Sequence, residues 1–415
     1  MLDRFYSDPR VLQRLRGGPL GPYLDSVAAV LFEQGFARQT TGQRQLHLLG
    51  DLSQWLEQLG LSVEDLEERR IVDFLNQPAQ QRVWVRHTRA VLGLLLRHLR
   101  DAGILPAVPP VELEDTPAAR VEREFACYLL EQRGLSQSTL AQYLPVVRSF
   151  LGERFGVGPL LLRELGAGDV TGFVLHSSRS RRTRSGKTMA TVALRSFFRF
   201  LRLRGDLAID LAAAVPRAAY WRLSGLPKSL PVEQVQRLVE SCDRGRPVGQ
   251  RNYAVLLLLA RLGLRASEIV ALRLEDLDWQ AAELTVRGKG RRQDRLPMLE
   301  DVGAALAAYL HHGRPRCSTR RVFVRSRAPY RELGDASTVS TIVRRALQRA
   351  GLNPPSQGAH LLRHSLATEM LRRQASLGEI GQILRHRQAS TTEIYAKVDL
   401  EALRALAQPW PGAHP

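Results

Sequence analysis

The chain has 415 residues, too many for one ordinary hydrophobic core, so two or three domains are expected. Sixty Lys and Arg against 41 Asp and Glu give a formal charge of +19 and a pI near 10.8, which implies a polyanionic partner: DNA, RNA or an anionic membrane surface. The longest strongly apolar run, Tyr253 to Ala260, is far short of the ~20 residues of a spanning helix, and MLDRFYSDPR at the start has no apolar signal region, so a cytoplasmic chain outside the membrane is expected.

Residues 1–105 read as an N-terminal helical domain. Apolar periodicity predicts helices over Tyr23 to Phe36, Thr40 to Leu59, Val63 to Asn76 and Val83 to Arg100, with Gly60, Pro78 and Pro106 as breaks. After the linker LPAVPPVELEDTPAA a second helical block occupies 116–216. The two blocks align at an offset of 99 residues: Gly35 and Thr40 fall on Gly134 and Thr139, and Asp65-Leu66 on Glu164-Leu165. Further on, Leu99 falls on Leu201 and Gly103 on Gly205. An internal duplication accounts for this, and so does the ease with which any two amphipathic four-helix segments align.

Within the second block, RSRRTRSGKT gathers Arg179, Arg181, Arg182, Arg184 and Lys187 just before a helix expected to start near Met189. Such a run is either a solvated face or a DNA-backbone contact. Its SGKT is no P-loop, because position 181, where the motif needs glycine, is arginine; no nucleotide cofactor is expected. Three widely spaced cysteines, Cys127, Cys242 and Cys317, imply no disulfide framework, and His311, His312 and Cys317 lack a fourth metal ligand, so no metal is expected either.

Past the linker Pro216 to Pro231, residues 228–408 read as a third domain. Helices are expected at SLPVEQVQRLVESC, at Arg251 to Leu262, at Asp301 to His311 and at Ser337 to Ala350, with a hairpin at 283–298 and a short strand Arg321 to Val324. Then comes GAHLLRHSLATEMLRRQASLGEIGQILRHRQASTTEIY, Gly358 to Tyr395. Here His360 and Arg363, three apart, lie on one face near a helix start, and Arg385-His386-Arg387 closes a second helical run. Tyr395 follows nine residues after His386. Several cations and one hydroxyl in a short length of chain suit attack on a phosphodiester.

The succession HLLRH, LRH and TTEIY resembles the C-terminal half of the tyrosine recombinase (phage integrase) family. LLLLARLGLRASEIVALRLEDLDW resembles that family's first arginine box, with Arg265 after the turn Gly263-Leu264 and Glu268 three residues on, and ELTVRGKGRRQDRLPM resembles the hairpin carrying its lysine, here Lys289. The resemblance is specific over about 228–398, looser over 118–216 and absent before that. It implies a mainly α fold: an α+β catalytic domain with a small β-hairpin sheet, and a helical SAM-like core-binding domain at 116–216 that clamps DNA, with 1–105 as its candidate duplicate.

By resemblance, Arg265 and Arg363 hold the nonbridging phosphate oxygens and Tyr395 is the nucleophile of a 3′-phosphotyrosyl intermediate, without metal or ATP. His360 exchanges a proton with the tyrosine, Lys289 protonates the departing 5′ oxygen, and His386 donates to a phosphate oxygen. Glu268 orients the cluster or merely bridges to a neighbour. Arg287, Arg291 and Arg292 compete with Lys289 on the same turn, lysine being preferred for its adjustable pKa. The chain departs from the family at Arg385, where glycine usually precedes the histidine. A site-specific recombinase of a mobile element or of genome maintenance is implied, acting on double-stranded DNA as a ring-like tetramer of identical or partner recombinases, with the apolar run Leu400 to Leu406 docking on a neighbour. The alternatives are a catalytically silent DNA-binding accessory protein and a type IB topoisomerase.

Overall fold

The computed structural model describes residues 1–77, 88–107, 116–156, 158–180, 184–216, 226–288 and 293–398. It is mostly helical with one small antiparallel sheet, and it divides into two compact units: Met1–Ala107 with Gly225–Pro415, and Val108–Ser224. Among the described residues no helix is long and apolar enough to cross a membrane, and no group of three His, Cys, Asp or Glu is arranged to hold a metal ion.

In the larger unit the N-terminal segment forms α1 (Pro9–Arg16), α2 (Gly21–Glu33), α3 (Gln43–Gln58), α4 (Glu68–Leu75) and α5 (Thr88–Asp101). The first was not expected from periodicity; Asp8 caps it by accepting from the Arg10 N–H at 2.9 Å, and Pro9 presets its first turn. The expected Val63 start of α4 is delayed to Glu68, because Asp65 accepts from the Ser62 N–H at 2.9 Å and folds that segment into a turn instead. Leucines from α2, α3 and α5, such as Leu24, Leu49 and Leu95, fill one core.

The smaller unit contains α6 (Pro117–Cys127), α7 (Gln137–Phe155), α8 (Ala167–Ser180), α9 (Arg184–Arg204) and α10 (Leu211–Ala214). Its core is aromatic: the Phe150 ring meets Phe173 and Phe198 edge-on at 5.3 and 5.4 Å, and Phe125 meets Phe197 at 5.2 Å. α9 begins at Arg184, five residues before the expected start at Met189, so Arg184 and Lys187 belong to a helix rather than to a loop.

The rest of the larger unit begins with α11 (Val232–Glu240), α12 (Pro247–Arg261) and α13 (Ala266–Ala271). A three-stranded sheet follows, β1 (Leu277–Asp278), β2 (Glu283–Arg287) and β3 (Gln293–Pro297), in which β2 pairs with both neighbours. Leu284 and Val286 point inward and fix the register, with Arg287 opposite Gln293. The chain closes with α14 (Glu300–Ala308), α15 (Ala336–Arg349), α16 (His360–Arg372) and α17 (Leu377–Ile383). The strand expected at Arg321 to Val324 is reduced to two isolated bridges, Arg273 to Arg321 and Val324 to Glu332. α12 is the central element: buried along Ala254 to Leu259, it packs on α14 and α16 and so carries the loop before Arg265 against the helix that bears His360 and Arg363.

Candidate active site

Arg265 sits at the N-cap of α13 and is held there by Glu268. Its backbone N–H donates to Glu268 Oε2 at 2.8 Å and its Nη1 to Oε1 at 2.7 Å, while the Glu268 N–H donates to the Arg265 carbonyl at 3.0 Å. Arg385 Nη2 gives Glu268 a third, charged contact at 2.8 Å, and the Arg385 carbonyl accepts from Arg265 Nη2 at 3.3 Å. Two guanidinia therefore share one carboxylate that is only 3% exposed. Burial pushes the Glu268 pKa up, but the Arg265 amide and the Arg385 and Arg265 charges outweigh it, and the net displacement is downward.

The position of Arg385 is bought with backbone strain. Its φ is +53°, in the left-handed region that glycine occupies freely. Its buried side chain is anchored by Glu268 and lies 3.9 Å from Asp294 on β3. The bulk and charge expected to crowd the phosphate at this departure from the family are thus directed into an ion pair.

Arg363 lies in the first turn of α16, 3% exposed. Its Nη1 donates to the Gly263 carbonyl and its Nη2 to the Leu384 carbonyl, tying the loop before Arg265 to the end of α17. Burial, then Arg265 and Arg385, lower its pKa to about 10, so it remains charged at neutral pH. Gly263 permits the approach: its φ is +58°, and a Cβ there would stand 2.7 Å from Leu384 Cδ2.

Tyr395 is 1% exposed in a 3-10 turn, Glu393–Val398. Its hydroxyl lies 2.8 Å from Nδ1 of His364, not of His360 as the sequence reading placed it. His360 is the first residue of α16; His364 follows one turn later on the same face, the two rings 6.3 Å apart. The i, i+4 spacing in HLLRH carried this signal, which an HxxR reading passes over. Burial raises the Tyr395 pKa to about 12 against the pull of Arg363. Burial, His360 and Arg363 lower His364 to about 4, so at neutral pH it is an uncharged imidazole facing a protonated phenol. His360 is also lowered, by the protein around it and then by Arg363 and Arg265.

His386 Nδ1 lies 2.8 Å from Oγ1 of the buried Thr392, which fixes the ring. Burial, followed by Arg363, Arg265, His364 and Arg385, lowers its pKa to about 4. Arg265, Glu268, His360, Arg363, His386 and Tyr395 thus form one electrostatically linked cluster, joined by His364, Arg385 and Thr392. Lys289, Arg291 and Arg292 lie outside the described residues. Arg287, the remaining competitor, is engaged at the hairpin base, its Nη2 2.6 Å from the buried Asp276 carboxylate. Of the basic run, Arg179 and Lys187 are exposed near the facing ends of α8 and α9, and Arg184 opens α9; Arg181 and Arg182 lie outside the described residues.

Comparison with known proteins identifies relatives of the chain as a whole. Residues 228–401 match the phage integrase family, and residues 123–205 match the phage integrase N-terminal SAM-like domain. A Sinorhizobium fredii (strain NBRC 101917 / NGR234) protein named integrase/recombinase y4rA is 44% identical over 408 residues, which is 97% of each chain. The tyrosine recombinase XerD of Mycobacterium tuberculosis (strain CDC 1551 / Oshkosh) is 32% identical over 306 residues, 69% of this chain and 95% of that one. Among solved structures, the XerH site-specific recombinase bound to a palindromic difH substrate superposes with a TM-score of 0.54 at 17% identity, covering 77% of this chain and 94% of that one. The Tn1549 transposon integrase in complex with a circular intermediate DNA gives 0.52 at 15% identity, covering 69% and 99%.

Proposed function

The chain belongs to the phage integrase family and is a site-specific tyrosine recombinase that cleaves and rejoins DNA, and on that premise we propose that Tyr395 is its nucleophile and Arg265 and Arg363 its phosphate-binding pair. The observation that carries this assignment is the 2.8 Å contact between the Tyr395 hydroxyl and His364, beside Arg363. In the reaction the phenol oxygen bonds to the scissile phosphorus as the bond to the 5′ oxygen breaks, leaving a 3′-phosphotyrosyl linkage and a free 5′ hydroxyl. Charge building on the nonbridging oxygens is met by guanidinia that stay protonated.

His364 accepts the phenolic proton, His360 and His386 hydrogen-bond the phosphate, and Lys289 supplies the proton of the 5′ hydroxyl. Glu268 acts through Arg265 and Arg385 and is a positioning residue. The reverse attack by a 5′ hydroxyl reseals the strand, and no external energy source is required.

Residues 116–216 serve as the core-binding domain that clamps the duplex, its basic run contacting phosphates, and 1–105 as an additional helical domain. The working assembly is a tetramer of identical or partner recombinases on two duplexes, in which the tail beyond Val398, outside the described residues, docks on a neighbour. Sedimentation on synaptic DNA is expected to show four subunits; monomers alone would remove this part.

Incubation with a pool of nicked suicide duplexes of randomised sequence tests the nucleophile. A covalent protein–DNA adduct is expected on a denaturing gel and is absent in Tyr395→Phe. An adduct that survives in Tyr395→Phe overturns the assignment, and no adduct from the unaltered chain favours a silent accessory protein.

A further inference from the structure

Away from the tyrosine cluster, the larger unit holds a half-open cavity of about 1150 Å³ between its N-terminal helices and the segment from α12 to α15. None of its lining residues belongs to the candidate active site. Its walls include seven arginines, Arg97 of α5, Arg246 at the N-cap of α12, Arg251 of α12, Arg325, Arg327 and Arg331 of the loop before α15, and Arg345 of α15, and no Asp or Glu. Arg246 is paired with Asp243 at 3.2 Å, and among the described residues the other six guanidinia make no ion pair.

Arg251 is the informative one. It is only 8% exposed, yet its partners are neutral: Nη1 donates to the Val324 carbonyl at 3.0 Å, and Nε and Nη2 to Asn252 Oδ1 at 3.1 and 2.9 Å. A buried cation without a carboxylate partner is costly, and its pKa is displaced downward by burial; Tyr309 opposes that shift and Arg345 adds to it. An anion entering the cavity would relieve both the cost and the shift. The loop wall is fastened to the N-terminal helices: the Tyr330 N–H donates to the Gln34 carbonyl at 3.0 Å, and the Tyr330 ring fills the space beside Gly35, whose φ is +81° and where a Cβ would come within 2.0 Å of it. The two walls are thereby tied to each other at Tyr330.

We propose that this cleft is a second DNA-backbone site, in which a run of duplex phosphates outside the cleaved position is gripped jointly by the N-terminal helices and the 325–345 segment. Arginine without lysine suits the occupant, because the guanidinium fork takes two phosphate oxygens at once. Phosphate contacts of this kind position the protein without reading sequence. The proposal rests on the DNA-recombinase reading and gives residues 1–105 a task in it.

The test is the salt dependence of full-chain binding to a fluorescein-labelled mixed-sequence duplex. The slope of log Kd against log salt is expected to fall by about 0.9 for each lost phosphate contact, so by about two to three in Arg97→Gln/Arg325→Gln/Arg331→Gln. The same loss of charge at exposed Arg10, Arg69 and Arg70 leaves the slope unchanged. If the unaltered chain binds duplex and the cleft variant keeps its slope, or if the control variant loses as much, the cleft is no DNA site while the recombinase reading stands. Polyglutamate binding that disappears in the cleft variant while the DNA slope persists would make it an acidic-peptide site and also overturns the proposal. Failure of the unaltered chain to bind any duplex sinks the DNA reading itself.

Discussion

Replacing Glu268 by Gln keeps the side-chain shape and removes the one carboxylate that Arg265 and Arg385 share. The carboxylate accepts from the Arg265 amide at 2.8 Å, from Arg265 Nη1 at 2.7 Å and from Arg385 Nη2 at 2.8 Å. A glutamine has a single acceptor oxygen, so its NH2 must face one of these donors. One charge-assisted hydrogen bond is worth about 1.5–3 kcal/mol net, and stripping a partner from a buried pair costs about 3–5 kcal/mol. Arg265 is about a third exposed, at 35%, and recovers part of its loss from water, which puts the expected cost at about 3 kcal/mol. Urea unfolding at neutral pH measures it. The pH dependence supplies a second check, because the folded pKa of Glu268 lies below its unfolded value. Its contribution is complete above the unfolded carboxylate value of about 4.3 and is lost as pH falls through the lower folded value, so the difference between the two proteins must shrink on acidification. A loss under about 0.5 kcal/mol, or a difference that does not change with pH, would refute the shared-carboxylate reasoning.

Arg363→Ala is expected to lose covalent adduct formation while retaining duplex binding, and also to destabilise the chain by about 2–4 kcal/mol through the stranded Gly263 and Leu384 carbonyls; normal cleavage would reject its role. Gly263→Ala forces a Cβ into a positive-φ position 2.7 Å from Leu384 Cδ2 and is expected to cost about 2–4 kcal/mol in urea unfolding. Proton-detected titration of the histidine rings should find His364 and His386 still neutral at pH 5, since both are lowered to about 4. Because these folded pKa values lie below the unfolded value of about 6.5, each histidine removes stability as pH falls from that value toward about 4, and replacing either by Phe or Asn should flatten that slope. His364→Phe is expected to slow adduct formation by about 10²–10⁴-fold without weakening duplex binding; unchanged rates would return the proton to His360.

The site was legible in the sequence where its geometry is local. His360 and Arg363 share a helix face because three residues make nearly one turn, and strands 283–287 and 293–297 alternate around a glycine-rich turn. What was missed depends on tertiary placement. That His364 rather than His360 meets Tyr395 is decided by how the 3-10 turn folds back onto α16, and no periodicity encodes that return. The left-handed conformation of Arg385 is invisible in a sequence position that looks merely like a lost glycine; it becomes tolerable because Glu268, more than a hundred residues earlier, anchors the side chain. The strand expected at 321–324 fails for a related reason: β-branched residues there are buried, but only single bridges reach them.

On the proposed assignment of Tyr395 as nucleophile, its pairing with His364 also implies a chain that is inert away from its substrate. Burial raises the phenol to about 12 and lowers the imidazole to about 4, so at neutral pH the proton rests on Tyr395. The resting pair is therefore a phenol facing a neutral imidazole. The proton becomes transferable only as the phenol oxygen begins to bond to phosphorus, since its electrons are then drawn toward the phosphate and its acidity rises. In the proposed mechanism attack and proton transfer proceed together, and Arg363, which after burial and His360 lowers the His364 pKa, is the same group proposed to meet the charge arriving on the phosphate. Burial and the neighbouring charges thus weaken the base before DNA binds, and on the proposed assignment Arg363 favours the transition state once it has bound, which couples reactivity to occupancy without a separate switch.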